Sequence, residues 1–363
     1  MRVLLLSGYD AASHRRWRQQ LTDMFADHHW HTLVLPPRFF RWRIRGNALS
    51  WLHAPCLRER WDMVIATSMV DLASVRGFHP SLAQTPTLLY MHENQFAFPL
   101  SRRQRTATEP RVVNLFSAVA ANKVVFNSAW NRDSFLDGVA GFLEQMPDKV
   151  PAGLVEDLGR KSRVIPVPIE DYLYIDSPRP LNLDCPHLVW NHRWEYDKGP
   201  ERLLSFLQAL DRRSMAFRLS VVGERFRTCP EAFDRIHRAF GDRIVHWGFI
   251  GSRERYDRLL RQADVVLSTA LHDFQGLSVL EAMAAGCLPL TPDRLAYREY
   301  VPDACRYESH EKNSSAEAEA AANCLARLTE KRPDCWSPEP WRASLLSARY
   351  RAVLDEMMPT RKQ

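Results

Sequence analysis

Short apolar runs alternate with helix-periodic segments along nearly the whole chain. Runs of four to eight apolar residues, bounded by polar or turn residues, are typical of buried strands. Strands that alternate with helices predict a parallel, doubly wound α/β sheet. The predicted strands are Arg2–Ser7, His31–Leu35, Asp62–Ala66, Thr85–Met91, Lys123–Asn127, Arg163–Pro168, His187–Asn191, Arg218–Val222, Ile244–Gly248, Ala263–Ala270 and Cys287–Leu290.

The helices are predicted from 3.6-residue periodicity and from capping residues at their starts. Ser13 is the expected cap of the first helix, and Asn127 or Ser128 that of a later one. The stretch Pro36–Pro55 shows no such pattern and is expected to be a long, basic, aromatic connection. The predicted helices are His14–Ala26, Pro110–Asn122, a segment ending near Leu136, Gly199–Arg212, Glu231–Phe240, Ser252–Gln262, Leu277–Ala285, Glu317–Arg327 and Ser344–Met357.

A proline-rich stretch interrupts the alternation between Pro166 and Pro180, which favours an interdomain linker. We therefore predict two Rossmann-like domains, residues 1–170 and 171–340, followed by a closing helix in residues 341–363. Ligands of such sheets lie beside the carboxyl ends of the strands. A cleft between the two halves is the expected site.

The segment His272–Glu299 and the strand Ala263–Ala270 just before it have the most distinctive pattern, a strand, a loop, a helix and a strand. Gly276 would start the helix, and the free amides there favour a phosphate. Glu281 lies among apolar residues and needs a polar partner, such as the hydroxyls of a ribose or sugar. Asp273 lies on the loop. An ordinary βαβ unit with a solvated glutamate explains the spacing about equally well.

Other strand ends carry further polar residues. Arg193 and Lys198 are five apart on one loop, where they could neutralise two phosphates or simply belong to a charged surface. Gly223–Glu224 and Trp247–Phe249 end two more strands, although a core role explains each aromatic equally well. The run His92–Gln95 follows an apolar strand, and such a polar cluster is costly to bury without a ligand.

Composition is typical of a globular protein, with 45% hydrophobic and 25% charged residues. The apolar start is too short for a signal peptide, and no run approaches the roughly 20 apolar residues of a membrane span. The seven cysteines are scattered without C-x-x-C spacing, so neither a disulfide framework nor a zinc site is indicated. A reducing cytoplasm is expected.

Positive charge is concentrated near the N-terminus. The chain has a net charge of +6, and residues 1–60 contain ten arginines and four acids, a difference of the same size. Such a surface, with aromatics between the arginines, suits a polyanion such as RNA, although a solvated arginine-rich surface is the alternative. The candidate RNA-contacting residues are Arg38, Arg41, Arg43, Arg45, Arg102, Arg103 and Arg105.

These motifs together resemble a known family. Asp273-x7-Glu281 followed by A-M-A-A-G-C-L-P is similar to the nucleotide-sugar signature of retaining GT-B glycosyltransferases, with Asp where the family has Glu. H-E-N-Q at 92–95, F-N-S-A-W-N at 126–131, W-N-H-R-W-E-Y-D-K-G-P at 190–200 and the segment 263–286 resemble the glycosyltransferase-like family that includes the tRNA-queuosine mannosyltransferase. The resemblance covers nearly the whole chain, but residues 11–14 read A-A-S-H where the family has G-G-S-H.

The resemblance implies a retaining hexosyl transfer, most simply of mannose from GDP-mannose to queuosine in the anticodon of tRNA-Asp, without a metal cofactor. It implies that Arg193 and Lys198 stabilise the leaving diphosphate, that Asp273 contacts the sugar and that Glu281 holds the ribose. Replacing Lys198 with Ala is then expected to reduce turnover and leave the fold intact.

Other donor contacts implied by the resemblance are the amides of Gly276 and Leu277, together with Gly223, Glu224, Trp247, Gly248 and Phe249 around the nucleobase. His92, aided by Glu93 and Asn94, would orient the sugar and the attacking hydroxyl. Residues expected to flank them are Ser13, His14, Gln95, Asn127 and Ser128.

Two alternatives remain at this stage. A glycosyltransferase with a small-molecule, lipid or protein acceptor would carry the same donor motifs. A non-catalytic RNA-binding protein could use the same scaffold, because a fold alone does not determine function.

Overall fold

The computed structural model describes residues 1–98, 108–148, 150–175, 179–225, 229–331 and 333–358. The chain forms two compact units. The first comprises Met1–Pro168 and the C-terminal segment from Ser344, and the second comprises Ile169–Ala343. Each unit contains its own six-stranded sheet, and every strand pairing in both sheets is parallel.

The first unit has the strand order β2-β1-β3-β4-β5-β6. Its strands are β1 (Arg2–Ser7), β2 (His29–Val34), β3 (Met63–Thr67), β4 (Thr87–Met91), β5 (Lys123–Phe126) and β6 (Ser162–Val164). Its helices are α1 (Ala12–Met24), α2 (Phe40–Ser50), α3 (Leu72–Phe78), α4 (Thr108–Ala120), α5 (Ala129–Leu143) and α6 (Leu154–Arg160).

The second unit has the strand order β12-β11-β10-β7-β8-β9. Its strands are β7 (His187–Asn191), β8 (Arg218–Val222), β9 (Ile244–Gly248), β10 (Val265–Leu267), β11 (Leu288–Pro292) and β12 (Arg306–Tyr307). Its helices are α7 (Pro200–Arg212), α8 (Ala232–Phe240), α9 (Arg253–Gln262), α10 (Leu277–Ala284) and α11 (Ser314–Glu330), and α12 (Ala343–Glu356) follows.

The central strands are apolar because helices cover both faces of each sheet. All five residues of β3 are buried, and all five of β4 and of β7 are buried as well. This explains why the strands could be recognised from continuous apolar runs rather than from alternation. The predicted pair of Rossmann-like, doubly wound sheets is confirmed.

Strand order also fixes where a ligand can enter. In the second sheet the chain moves outward from β7 through β8 to β9, returns to β10 beside β7, and then moves outward in the other direction. The loops that follow β7 and β10 therefore diverge and leave a crevice at the carboxyl edge. The first sheet has the same reversal between β1 and β3.

Helix α12 packs on the first unit through a buried hydrogen-bond network. The indole nitrogen of Trp17 donates to the hydroxyl of Tyr350 at 2.9 Å, and that hydroxyl lies 3.1 Å from the hydroxyl of Tyr90 and 2.9 Å from the carbonyl oxygen of Pro166. Helix α12, near the C-terminus, therefore completes the core of the unit that contains the N-terminus.

Two local predictions were wrong. Helix α1 begins at Ala12 with Ala11 as its cap residue, so Ser13 lies inside the first turn, where its side chain is exposed and cannot cap. The stretch Pro36–Pro55 is not an irregular connection, because it contains α2. Arginines and aromatics on the solvent side of α2 obscure its amphipathic pattern, while Ile44 and Asn47 on its inner side are buried. Helices α3 and α6 and strand β12 were not predicted.

Asn47 anchors α2 to the sheet. Its side-chain amide donates to the carbonyl oxygen of Met69 at 3.0 Å, and its side-chain oxygen accepts from the amide of Asp71 at 3.1 Å. The residue is fully buried. Within the described ranges, no helix combines the length and hydrophobicity that a membrane span needs.

We expect Asn47→Ala to lower the free energy of unfolding by about 3 kcal/mol, because the amide of Asp71 and the carbonyl of Met69 lose their buried partner. Urea denaturation followed by tryptophan fluorescence measures this change. Leu49→Ala, at an exposed position of the same helix, is the control and should change stability by less than about 0.5 kcal/mol. Equal stabilities of the two variants would show that Asn47 does not anchor α2.

Candidate active site

The loops that follow β7 and β10 are joined at the reversal point of the second sheet. The hydroxyl of Thr269 donates to the carbonyl oxygens of Lys198 and Gly199, at 2.9 and 3.0 Å. The backbone amide of Leu271 donates to the carbonyl oxygen of Asp197 at 2.8 Å. Gly199 has a φ of +68°, and any Cβ there would overlap the carbonyl oxygen of Thr269. Only glycine therefore allows the two loops to approach this closely.

Lys198 is the centre of this junction. Its side chain is 9% exposed, and its Nζ donates to the carbonyl oxygen of His272 at 2.7 Å. The same Nζ lies 3.3 Å from Asp197 and 3.5 Å from Asp273. One ammonium group is thus shared between two carboxylates, one from each loop.

Asp273 is held at the start of α10. Its Oδ1 accepts from the amide of Gly276 at 2.9 Å, and its Oδ2 lies 3.4 Å from the hydroxyl of Tyr297. Burial raises the pKa of Asp273, but the charge of Lys198 and the Gly276 amide oppose it, and the pKa lies below its ordinary value. The predicted amide of Gly276 therefore serves the protein itself in this structure, while Leu277 opens the helix behind it.

His192 is a site residue that the sequence motifs contain but that was not predicted. It is buried, and its Nδ1 lies 3.3 Å from the hydroxyl of Ser278 at the start of α10. Burial and the nearby Lys198 lower the pKa of His192 to about 4, so the imidazole is neutral near pH 7. Its Nε2 has no hydrogen-bond partner among the described residues. A polar residue directly after a buried strand was the available signal.

Arg193 is placed differently from Lys198. Its side chain is 53% exposed and lies 3.1 Å from the carboxylate of Glu195. Burial raises the pKa of Glu195, against the opposing charge of Arg193. The predicted pair is thus one buried ammonium group and one surface guanidinium group on the same loop.

Glu281 already has protein partners, which the sequence did not reveal. It is buried in α10, where its carboxylate lies 2.7 Å from Nη1 of Arg253 and accepts from the hydroxyl of Tyr256 at 3.2 Å. The side chain of Asn191 donates to the same hydroxyl at 2.9 Å. A ribose was predicted as the partner of this carboxylate because its sequence neighbours are apolar. In the structure, Arg253 already provides one charged partner.

The residues predicted around a nucleobase lie at the ends of β8 and β9. The amide of Gly223 donates to the carbonyl of Gly248 at 3.4 Å, and the carbonyl of Glu224 accepts from a backbone amide at 3.0 Å. Trp247 packs its ring against Trp194 with centroids 5.0 Å apart, so it belongs largely to the core. Phe249 is 68% exposed and is the aromatic of this group that is available for stacking.

In the first unit, His92 stacks on His14 with ring centroids 4.1 Å apart. Burial lowers the pKa of His14 to about 4, and burial together with His14 holds the pKa of His92 well below its ordinary value. Both rings are therefore neutral near pH 7. Nε2 of His92 has no hydrogen-bond partner among the described residues, although it is buried.

Two of the three side-chain amides near His92, those of Asn94 and Asn127, make hydrogen bonds within the protein. The side chain of Asn94 donates to Asn131 and Ser134 and accepts from two backbone amides of its own loop. Asn127 donates to the carbonyl of His92 at 2.8 Å, and Ser128 caps α5. Glu93 is half-buried, and the side-chain amide of Gln95 is buried without a partner among the described residues.

The predicted RNA-contacting arginines are only partly described. Arg38, Arg41 and Arg45 are exposed, and Arg43 is half-buried. Arg45 lies 2.8 Å from the carboxylate of Asp71. The predicted residues Arg102, Arg103 and Arg105 lie outside the described residues. No group of three or more His, Cys, Asp or Glu side chains placed to hold a metal ion occurs in the part of the chain that the structure describes.

Comparisons with known proteins match both units. Residues 2–169 match the family model described as tRNA-queuosine alpha-mannosyltransferase N-terminal, and residues 186–330 match that of glycosyl transferases group 1. A tRNA-queuosine alpha-mannosyltransferase of Drosophila melanogaster is 31% identical over 308 residues, which cover 83% of this chain and 81% of the fly protein.

Solved structures share the fold at low identity. HepE of Anabaena, crystallised with UDP and glucose, has a TM-score of 0.69 at 14% identity and covers 98% of this chain and 100% of its own. Sucrose-phosphate synthase of Thermosynechococcus elongatus gives the same TM-score and identity, covering 98% and 99%. A glycosyltransferase of Rickettsia africae has a TM-score of 0.68 at 14% identity and covers 99% of both chains.

The burial of Lys198 changes the expectation that its loss leaves the fold intact. Removing this ammonium leaves the buried Asp197 and the half-buried Asp273 without their shared cation, so we expect Lys198→Met to lower the free energy of unfolding by about 3 kcal/mol. Adding Asp273→Asn removes one of the two carboxylates left without a cation, and should restore about half of the lost free energy of unfolding. Urea denaturation at neutral pH measures both effects.

Lys312→Met, at an exposed lysine of the same unit, is the matched control and should retain the stability of the unchanged protein. If Lys198→Met were as stable as this control, the ion pairs of Lys198 would not hold the two loops together.

Proposed function

Because the chain belongs to the tRNA-queuosine alpha-mannosyltransferase family, we propose that it transfers mannose from GDP-mannose to queuosine in tRNA-Asp, with retention of the anomeric configuration. The observation that carries the proposal is the buried Lys198 at the reversal point of the second sheet, where an α/β domain binds its nucleotide.

Lys198 and Arg193 would act on the diphosphate of the donor. Cleavage of the sugar–phosphate bond leaves negative charge on the departing nucleoside diphosphate, and fixed cations that meet this charge lower the barrier. Lys198 is held in position by Asp197 and Asp273, while the exposed Arg193 can close over the phosphates from the surface. These two side chains supply the charge that a metal ion supplies in other transferases.

The neutral His192 would take part in the same step. It lies beside Ser278 and contributes no positive charge of its own near pH 7. Its Nε2 offers a hydrogen bond to a phosphate or sugar oxygen at the start of α10, where the helix dipole also favours negative charge.

Glu281 would hold the ribose of the donor together with Arg253. The carboxylate would keep its contact with Arg253, and ribose hydroxyls would either add to its hydrogen bond with the hydroxyl of Tyr256 or replace it. The exposed ring of Phe249 would give the nucleobase a surface for stacking.

The acceptor would bind to the first unit. His92 is a neutral imidazole beside the carboxyl end of β4, and its Nε2 could accept a hydrogen bond from the attacking hydroxyl. Asn94 and Asn127 would fix the loop that carries it. Arg38 and Arg41 would contact the RNA backbone, which makes the affinity dependent on salt.

The test is the mass of the modified nucleoside. The purified protein is incubated with GDP-mannose and with tRNA from cells that contain or lack queuosine, and the tRNA is then digested to nucleosides. We expect queuosine to gain one hexose in the queuosine-containing sample alone. Retention predicts that an α-mannosidase, and not a β-mannosidase, removes the added sugar.

The remaining outcomes separate the parts of the proposal. A hexose gained from another nucleotide sugar would replace the donor and keep the acceptor. If no donor leads to hexose transfer to any tRNA, the proposal is contradicted, and a glycosyltransferase with a small-molecule, lipid or protein acceptor is favoured.

A further inference from the structure

The solvent side of α2 is both basic and aromatic. Positions three, four and seven residues apart lie on one helix face, and on α2 the exposed ones are arginines, a tryptophan and a leucine. These residues, together with Phe39 and Arg38 just before the helix, form what we call the α2 face: Arg38, Phe39, Arg41, Trp42, Arg45 and Leu49.

Trp42 is held in place by Gly46, one turn along the helix. A Cβ built on Gly46 would overlap the indole ring, within 2.8 Å of Cδ2 and closer still to Cε2. These two atoms form the bond shared by both rings, so Gly46 faces the middle of the indole rather than its edge. Trp42 is nevertheless 57% exposed. One side of the ring rests on the helix and the other is open to solvent.

Phe39 adds a second exposed ring under unusual backbone constraint. Its φ is +54°, a left-handed conformation that side chains with a Cβ rarely adopt. Phe39 is 70% exposed, and the guanidinium carbon of Arg38 lies 5.6 Å from the centroid of its ring. A large apolar ring held in water by a strained residue suggests a binding role rather than a packing role.

The charge around these rings selects an anionic partner. Residues 28–58 contain five arginines and no aspartate or glutamate. The ion pair of Arg45 with Asp71 engages one of these arginines. An acidic surface of a protein would match the charge but not the two open aromatic faces, whereas unpaired nucleic acid offers phosphates and bases together.

The α2 face belongs to the edge of the sheet that carries the candidate acceptor residues. Asn47 ties α2 to Met69 after β3, and the ring of Phe40 packs against Tyr9 after β1, with centroids 5.8 Å apart. His92 follows β4, which pairs with β3, so it lies at the same carboxyl edge.

We propose that Trp42, set in position by Gly46, and Phe39 form a stacking platform for an unpaired base of the RNA loop that carries the modified nucleoside. Arg38 and Arg41 contact the phosphates on either side of that base. The inference rests on the proposed RNA acceptor and adds the part of the chain that recognises the loop as single-stranded.

The experiment measures the affinity of the whole protein for an RNA hairpin with the anticodon loop of the acceptor tRNA. Trp42→Ala and Gly46→Ala should each weaken binding about tenfold, a typical effect of losing one stacked base. Phe78→Ala and Gly77→Ala are the matched controls. Phe78 is an exposed phenylalanine at the far end of α3, and a Cβ on Gly77 meets nothing within 4 Å.

Gly46→Ala is the sharper variant, because it keeps the tryptophan and moves it. Alanine has the higher helix propensity, so α2 should persist, while the new Cβ occupies the space of the indole. A far-ultraviolet circular dichroism spectrum equal to that of the unchanged protein confirms the helix.

Salt dependence separates stacking from charge. Trp42→Ala should leave the slope of log K against log salt unchanged, whereas Arg41→Ala should reduce it by about one. A fully paired RNA of equal charge should bind the unchanged protein and Trp42→Ala equally.

Wild-type affinity of both Trp42→Ala and Gly46→Ala for the hairpin would overturn the platform. If hexose transfer to queuosine tRNA persists in that case, the proposed function stands and the platform alone fails. If the unchanged protein binds no RNA, both the platform and the RNA acceptor are wrong.

Discussion

The second unit depends on one buried ammonium group. Lys198 is 9% exposed and lies within 3.5 Å of two carboxylates, one on its own loop and one on the loop after β10. Without this cation, the desolvation of the buried Asp197 and the half-buried Asp273 would be costly. The same interaction brings the start of α10, His192 and Lys198 together at the reversal point of the sheet. The stability of this junction and the proposed contact with the donor diphosphate therefore both depend on Lys198.

The elements that could be predicted are those defined by local pattern. Strands β1, β7, β8 and β9 were predicted with their observed bounds. The first three are buried runs between turns, which local sequence reveals, whereas β9 is only partly buried. The loop from Arg193 to Lys198 was placed correctly before a helix that starts with glycine and proline. Local sequence determines these features, and the structure confirms them.

Features that depend on distant residues could not be predicted. Glu281 is paired with Arg253, which lies 28 residues earlier on another helix, and no spacing rule connects them. Helix α2 is held by contacts of Asn47 with a loop more than 20 residues away. The sequence of α2 itself is typical of an irregular basic connection. The hydrogen bond of Asn94 to Asn131, 37 residues later, could not be predicted either, and the role of Asn94 in orienting the sugar and the attacking hydroxyl stays a prediction.

The two units use their polar residues in different ways. The second unit fixes the ammonium group of Lys198 beside the start of α10, and a fixed cation and a helix start both suit a group that gains negative charge. The first unit buries the neutral, stacked pair of His14 and His92 and places arginines and aromatic rings on α2. This division agrees with the proposed reaction, in which a nucleoside diphosphate leaves the donor and a nucleoside in RNA accepts the sugar.

The most direct test of the central claim is a calorimetric titration of GDP into variants of the Lys198 loop. Arg193→Ala should retain the fold, because the side chain is exposed, and should bind GDP about tenfold more weakly. The combined change Lys198→Met with Asp273→Asn should weaken binding at least as much. Arg212→Ala, which removes another exposed arginine paired with a glutamate, should bind GDP like the unchanged protein. Equal GDP affinity in all four proteins would contradict the assignment of this loop to the leaving diphosphate.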